Sequence, residues 1–152
     1  MIRIGLVLAL FVAMLPIWWQ PSSAAPEEKS SVFTGDVVLL KDLIEKSGGK
    51  LDRDASPYFV VLVVDGKFYP IIKDQAGRRF FNDEKLLNKK YRITGRLVGG
   101  ALLQVIAVQS IKDGKPHDIY YWCDICAIRR SEKLDCECCG GPMELREEPI
   151  GK

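Results

Sequence analysis

Short runs rich in apolar and β-branched residues recur along the chain, broken at short intervals by turn residues, in the manner of strands. Val32 to Leu40 is rich in β-branched residues, with Gly35 as a bend. Lys41 to Ser47 has helical character and is stopped by Ser47-Gly48-Gly49. Tyr58 to Val64 is almost wholly apolar, so it reads as a strand covered on both faces. Asp65-Gly66 then links it to Lys67–Lys73, the pattern of a tight hairpin in which both central residues take positive φ. Pro70 removes a backbone donor from that second run and assigns it to a sheet edge or a bulge.

From Arg78 to Lys90 the period changes to that of a short helix, with Asn82 or Asp83 as its cap and Leu86 and Leu87 facing inward. Tyr91 to Val98 alternates again, separating Tyr91, Ile93 and Leu97 from Arg92, Thr94 and Arg96. Gly99-Gly100 turns the chain into a run from Leu102 to Ser110. Asp113 to Pro116 reads as a turn, and Asp118 to Trp122 as a short strand.

The predicted fold is mainly β. Its order, a strand, a two-stranded hairpin, a short helix and a second hairpin over residues 32–112, resembles the OB-fold, which implies a small five-stranded barrel with one short helix between strands 3 and 4. The resemblance rests on element order and glycine turns.

At the N-terminus, Arg3 precedes an apolar run from Ile4 to Trp19 and a small, polar exit through Ala25, the order of a secretory signal peptide. Residues 1–24 are expected to form that leader, with cleavage after Ala24 and 25–31 as a flexible mature N-terminus. Sixteen apolar residues fall short of the ~20 that span a bilayer, so cleavage is favoured over a retained anchor. The expected location is the periplasm or cell envelope. The net charge is +2, and loss of the leader removes Arg3 alone, leaving 21 bases against 20 acids. That balance gives no reason to expect a nucleic-acid partner.

The chemistry is concentrated in one place. All five cysteines lie between Cys123 and Cys139, as Cys123-Asp-Ile-Cys126 and Cys136-Glu-Cys138-Cys139-Gly140. Two pairs with two residues inside each are what a tetrahedral four-thiolate site requires. Cys123, Cys126, Cys136 and Cys139 are the expected ligands. The two turns look like the knuckles of a zinc ribbon or rubredoxin-like module spanning 113–147, before a tail at 148–152. Gly140 suits the tight turn of the second knuckle, whereas the first has Ala127 where such modules often carry glycine. Zinc is the expected cofactor because it takes four thiolates without redox chemistry. Iron and copper(I) also suit this ligand set, and two disulfides with one free thiol is the alternative that an oxidising compartment favours. Cys138 is surplus to a four-ligand site and becomes a candidate exchangeable thiol.

Tyr58, Phe68 and Tyr69 form the candidate ligand face, on the strands that OB-folds use for binding. The simpler reading has these rings filling the barrel and Lys67, Lys73, Arg78, Arg79, Arg92 and Arg96 solvating its outside. His117, the one histidine, reads as a loop residue. No paired carboxylates, no Ser/His/Asp set and no phosphate loop occur, and the expectation is a protein that is not an enzyme. The expected function is binding or scaffolding in the envelope, with an envelope protein or a small ligand as partner. Metal handling or thiol redox chemistry is the first alternative, and single-strand nucleic-acid binding the second.

Overall fold

A computed structural model describes residues 29–52, 54 and 59–151. The expected leader and Tyr58 lie outside the described residues. The chain runs β1 (Ser31–Leu39), α1 (Leu40–Lys46), β2 (Val60–Val64), β3 (Lys67–Pro70), α2 (Arg79–Asn82), a 3-10 turn at Glu84–Leu86, β4 (Lys89–Val98), β5 (Leu102–Lys112), β6 (Lys115–Cys123), β7 (Ile128–Arg130) and β8 (Glu144–Pro149).

Mainly β architecture is thus found, as one curled sheet in the order β3-β2-β1-β4-β5-β6-β7, with β8 added to β6. All its ladder pairings are antiparallel. The sheet curls far enough that Ile71, just past β3, meets Leu103 of β5 in a parallel bridge, and the Ile72 amide donates to the Leu103 carbonyl at 2.9 Å. Two glycines make this curl sterically possible. A Cβ on Gly35 would stand 2.0 Å from the Val63 carbonyl oxygen, and one on Gly95 would stand 2.5 Å from that of Gln104. The register between β4 and β5 also shifts at Thr94/Gly95, where a bulge sharpens the bend.

The strand count departs from the sequence expectation. Among the described residues there are eight strands, not five. Five of them, β1 to β5, account for the segment read as a barrel. The others arise because Asp113 and Gly114, with φ of 50° and 72°, close a two-residue hairpin. That hairpin returns Lys115–Cys123 along β5, with Ser110 opposite His117. Lys115 and Pro116, expected in the turn, therefore belong to a nine-residue strand. His117 lies in that strand too.

The other local expectations fare well. Asp65 and Gly66 take φ of 48° and 77° and pair β2 with β3, which is the edge strand that Pro70 requires. Val60, Val61 and Leu62 are all buried although successive side chains point to opposite faces, so both faces of β2 are covered there. The helical stretch after β3 is shorter than the pattern suggested and breaks at Asp83, whose carboxylate accepts from the Lys85 amide at 3.1 Å.

The main core gathers Val37, Val60, Leu62, Phe80, Leu86, Tyr91, Ile93 and Leu103 inside the curl, with Ile119 of β6 at its rim. The Phe80 and Tyr91 rings meet edge to face at 5.2 Å, and the Tyr91 hydroxyl donates to the Leu86 carbonyl at 2.9 Å. Among the described residues, no helix is long and apolar enough to cross a membrane.

Candidate metal centre

β6 leaves the core and ends at Cys123, so the first sulfur sits at the end of a well-paired strand. The chain then turns through Asp124-Ile125-Cys126, and the Ala127 amide donates to the Cys123 carbonyl at 2.9 Å. The second turn repeats this bond: the Gly140 amide donates to the Cys136 carbonyl at 2.7 Å. Residues 127 and 140 both take left-handed backbone, with φ of 53° and 70°. The two cysteine loops are therefore the same device used twice. Glycine occupies the left-handed position once and alanine, at a steric cost, the other time.

Facing one another, the loops bring four sulfurs together. The Sγ atoms of Cys123, Cys126, Cys136 and Cys139 all lie within 4.8 Å of one another, with Cys123 and Cys139 at 3.6 Å. All four are free thiols in the structure. This cluster could hold a metal ion, and its members are the four residues that the spacing selects.

Backbone amides tune the sulfurs. Those of Cys139 and Cys138 point at Cys136 and, against its burial, hold its thiol down at about 7. In the first loop the Cys126 amide likewise pulls Cys123 down. Burial and the Cys136 and Cys139 sulfurs outweigh it, and the net shift is upward. Cys126 is pushed up, first by its hydrogen bond with the Cys138 thiol and then by burial. Four close thiols cannot all ionise together without a cation among them, so a bound cation and deprotonation belong to one equilibrium. Cys138 itself is exposed and contacts the rim of the cluster through Cys126.

A small second core surrounds the sulfurs, made of Tyr121, Cys123, Cys136 and Met143 with Ile128 and Leu145 against it. Polar contacts fasten this core to the helical stretch of the main one. The Tyr121 hydroxyl donates to buried Asp83 at 2.7 Å, and Lys133 lies 3.7 Å from the same carboxylate. Buried Glu132 accepts from Arg78 at 2.5 Å and from Asn82 at 3.5 Å. Burial would raise the Asp83 carboxyl, yet the Tyr121 hydroxyl and the Lys85 amide overcome it and hold the group below its ordinary value. The same bond, after burial, pushes the Tyr121 hydroxyl far up.

The residues expected to form a ligand face are placed differently from the cysteines. Phe68 is 59% exposed on edge strand β3. Tyr69 points to the opposite face, half-buried, with its ring 5.6 Å from that of Phe33. The two rings share no surface. His117 stands outside the cysteine cluster, with Nδ1 3.0 Å from the Lys115 carbonyl. Arg79, grouped by sequence with the solvated bases, is only 8% exposed, which corrects that expectation. Its burial follows from β6 folding back over α2, a long-range event with no signature near Arg79 in the sequence.

Comparison with known proteins gives no match: no family model, no curated protein and no solved structure is similar to the chain.

Proposed function

We propose that the protein is an exported, non-catalytic binding or scaffolding protein whose C-terminal arm is shaped by one structural zinc ion. The observation that carries this reading is the pair of matched cysteine loops with four sulfurs inside 4.8 Å. A tetrahedral zinc with bonds of ~2.3 Å sets its sulfurs about 3.8 Å apart, close to the 3.6 Å between Cys123 and Cys139. Amides aimed at sulfur in both loops favour thiolates, and four thiolates with no open position describe a structural site more than a catalytic one.

For the rest of the molecule, the strand order β3-β2-β1-β4-β5 with its parallel bridge from Ile71 to Leu103 supports an OB-like barrel. The C-terminal strands and cysteine loops support a zinc-ribbon-like arm. Export rests on the leader pattern of residues 1–24. The partner would be an envelope protein or a small ligand.

Metal handling is the second reading, favoured by one observation: a fifth, exposed thiol, Cys138, sits in the second cysteine loop next to ligand candidate Cys139. Substitution separates the two. Structural zinc predicts one equivalent per chain, unchanged in Cys138→Ser and lost in Cys136→Ser. Copper bound at more than one equivalent and weakened by Cys138→Ser would favour metal handling and overturn the scaffold reading.

A further inference from the structure

The joint between the main core and the cysteine arm contains an open cleft of about 300 Å³, bordered by Arg79, Ile119, Tyr120, Arg129, Arg130 and Ser131. Two of its three arginines are neutralised. Arg129 pairs with Asp118 at 2.6 Å and lies over the Tyr120 ring, and Arg130 pairs with Glu137. Arg79 is not. It is 8% exposed, its Nη1 reaches only the Ile119 carbonyl at 3.4 Å, and its Nε is buried with no hydrogen-bond partner. Among the described residues no carboxylate forms an ion pair with it. The two acids that act on it are engaged elsewhere, Asp118 by Arg129 and Glu132 by Arg78 and Asn82.

A buried cation with an unanswered donor is costly, and native structures satisfy such groups. Arg79 lines the cleft, and a guanidinium there pairs with a planar carboxylate through charge-assisted hydrogen bonds better than an ammonium would. We propose that this cleft is a binding site for a small monocarboxylate, whose anionic head pairs with Arg79 and whose apolar body lies along Ile119 and Tyr120. One charge is left uncompensated in the cleft, which matches a monoanion. Asp118 on the same wall disfavours a dianion such as phosphate. Ser131 and the arginine pair on β7 complete the lining.

The site stands apart from the cysteine cluster and does not depend on which metal, if any, that cluster holds. It does join the two halves of the molecule: Arg79 belongs to α2, Ile119 and Tyr120 to β6, and Arg129 and Arg130 to β7. A ligand seated there bridges the elements that the Asp83–Tyr121 and Arg78–Glu132 contacts already fasten.

The test is calorimetric titration of the mature, metal-loaded protein with sodium butyrate, with butyramide as the uncharged match and inorganic phosphate as the dianion. Butyrate is expected to bind at one site per chain and to raise the melting temperature, while butyramide does neither. Arg79→Lys keeps the charge but loses the planar fork, and should weaken butyrate at least tenfold. Arg79→Met should abolish binding and, by removing an unpaired buried charge, melt no lower than the unliganded parent. Equal binding of butyrate and butyramide, or butyrate binding unchanged in Arg79→Lys, overturns the proposal. Phosphate binding tighter than butyrate would overturn the monocarboxylate assignment.

Discussion

Ala127 and Gly140 occupy equivalent positions in the two cysteine loops, and their difference is a small experiment built into the chain. Alanine at φ 53° carries a strain that glycine does not. Ala127→Gly should therefore stabilise the metal-loaded protein by about 0.5–1 kcal/mol, the reverse of the usual helix penalty, because relief of left-handed strain exceeds the added chain entropy. Urea unfolding at fixed zinc concentration measures it, and a loss of stability would mean that the loop does not hold residue 127 in left-handed backbone.

Asp83 yields a second prediction at this scale. Its folded pKa lies below its ordinary value, so the Tyr121 contact stabilises fully above the unfolded pKa, near 3.8, and its contribution disappears as pH falls through the lower folded value. Tyr121→Phe should cost about 1–2 kcal/mol at neutral pH by leaving a buried carboxylate short of a donor. The penalty should shrink in acid below about pH 4, where the unfolded carboxyl binds a proton. Parent and variant denaturation curves at pH 7 and pH 3 read this directly, and a penalty independent of pH would remove Asp83 from the account.

At the scale of elements, what was legible in the sequence was local. Asp65-Gly66 and Gly99-Gly100 announced their turns because positive φ is a property of the residues themselves. Pro70 announced an edge because it lacks a donor. The paired cysteine spacing selected the four clustered sulfurs because two intervening residues turn both side chains to one side. Asp113-Gly114 carries the same hairpin signal, but Lys115 and Pro116 beside it look like a wider turn and hide the start of β6. The burial of Arg79 and the contacts of Glu132 depend on how distant elements pack, which no window of sequence encodes, whereas the splitting of Phe68 from Tyr69 is the ordinary alternation of neighbours on one strand.

Gly35 tests the curl that this packing needs. Its Cβ position is 2.0 Å from a backbone oxygen on β2, an atom that cannot swing aside. Gly35→Ala should destabilise by about 3 kcal/mol or fail to fold. The same substitution at Gly114, where nothing lies within 4 Å, should cost only the ~1 kcal/mol of left-handed backbone. Similar losses at both sites, measured by thermal unfolding, would mean that steric contact at β1 does not set the curvature.

For the whole molecule, two cores of different character share one sheet. The larger is apolar and closed by packing, and the smaller surrounds the sulfurs of the candidate metal site. The segment from Asp124 to Met143 contains only the three-residue strand β7 and short turns, too little regular structure to hold itself. Removing metal by chelation under reducing conditions should therefore release amide hydrogens in 123–143 while Val60–Val64 and Tyr91–Ile93 stay protected. Loss of protection throughout the sheet would show instead that the arm and the barrel form a single cooperative unit.

Elemental analysis of the protein purified from its native compartment, paired with a count of reactive thiols, bears most directly on the proposed zinc centre. One zinc per chain and one readily modified thiol, Cys138, is the predicted result. Metal-free protein whose cysteines are joined in disulfide bonds would contradict it.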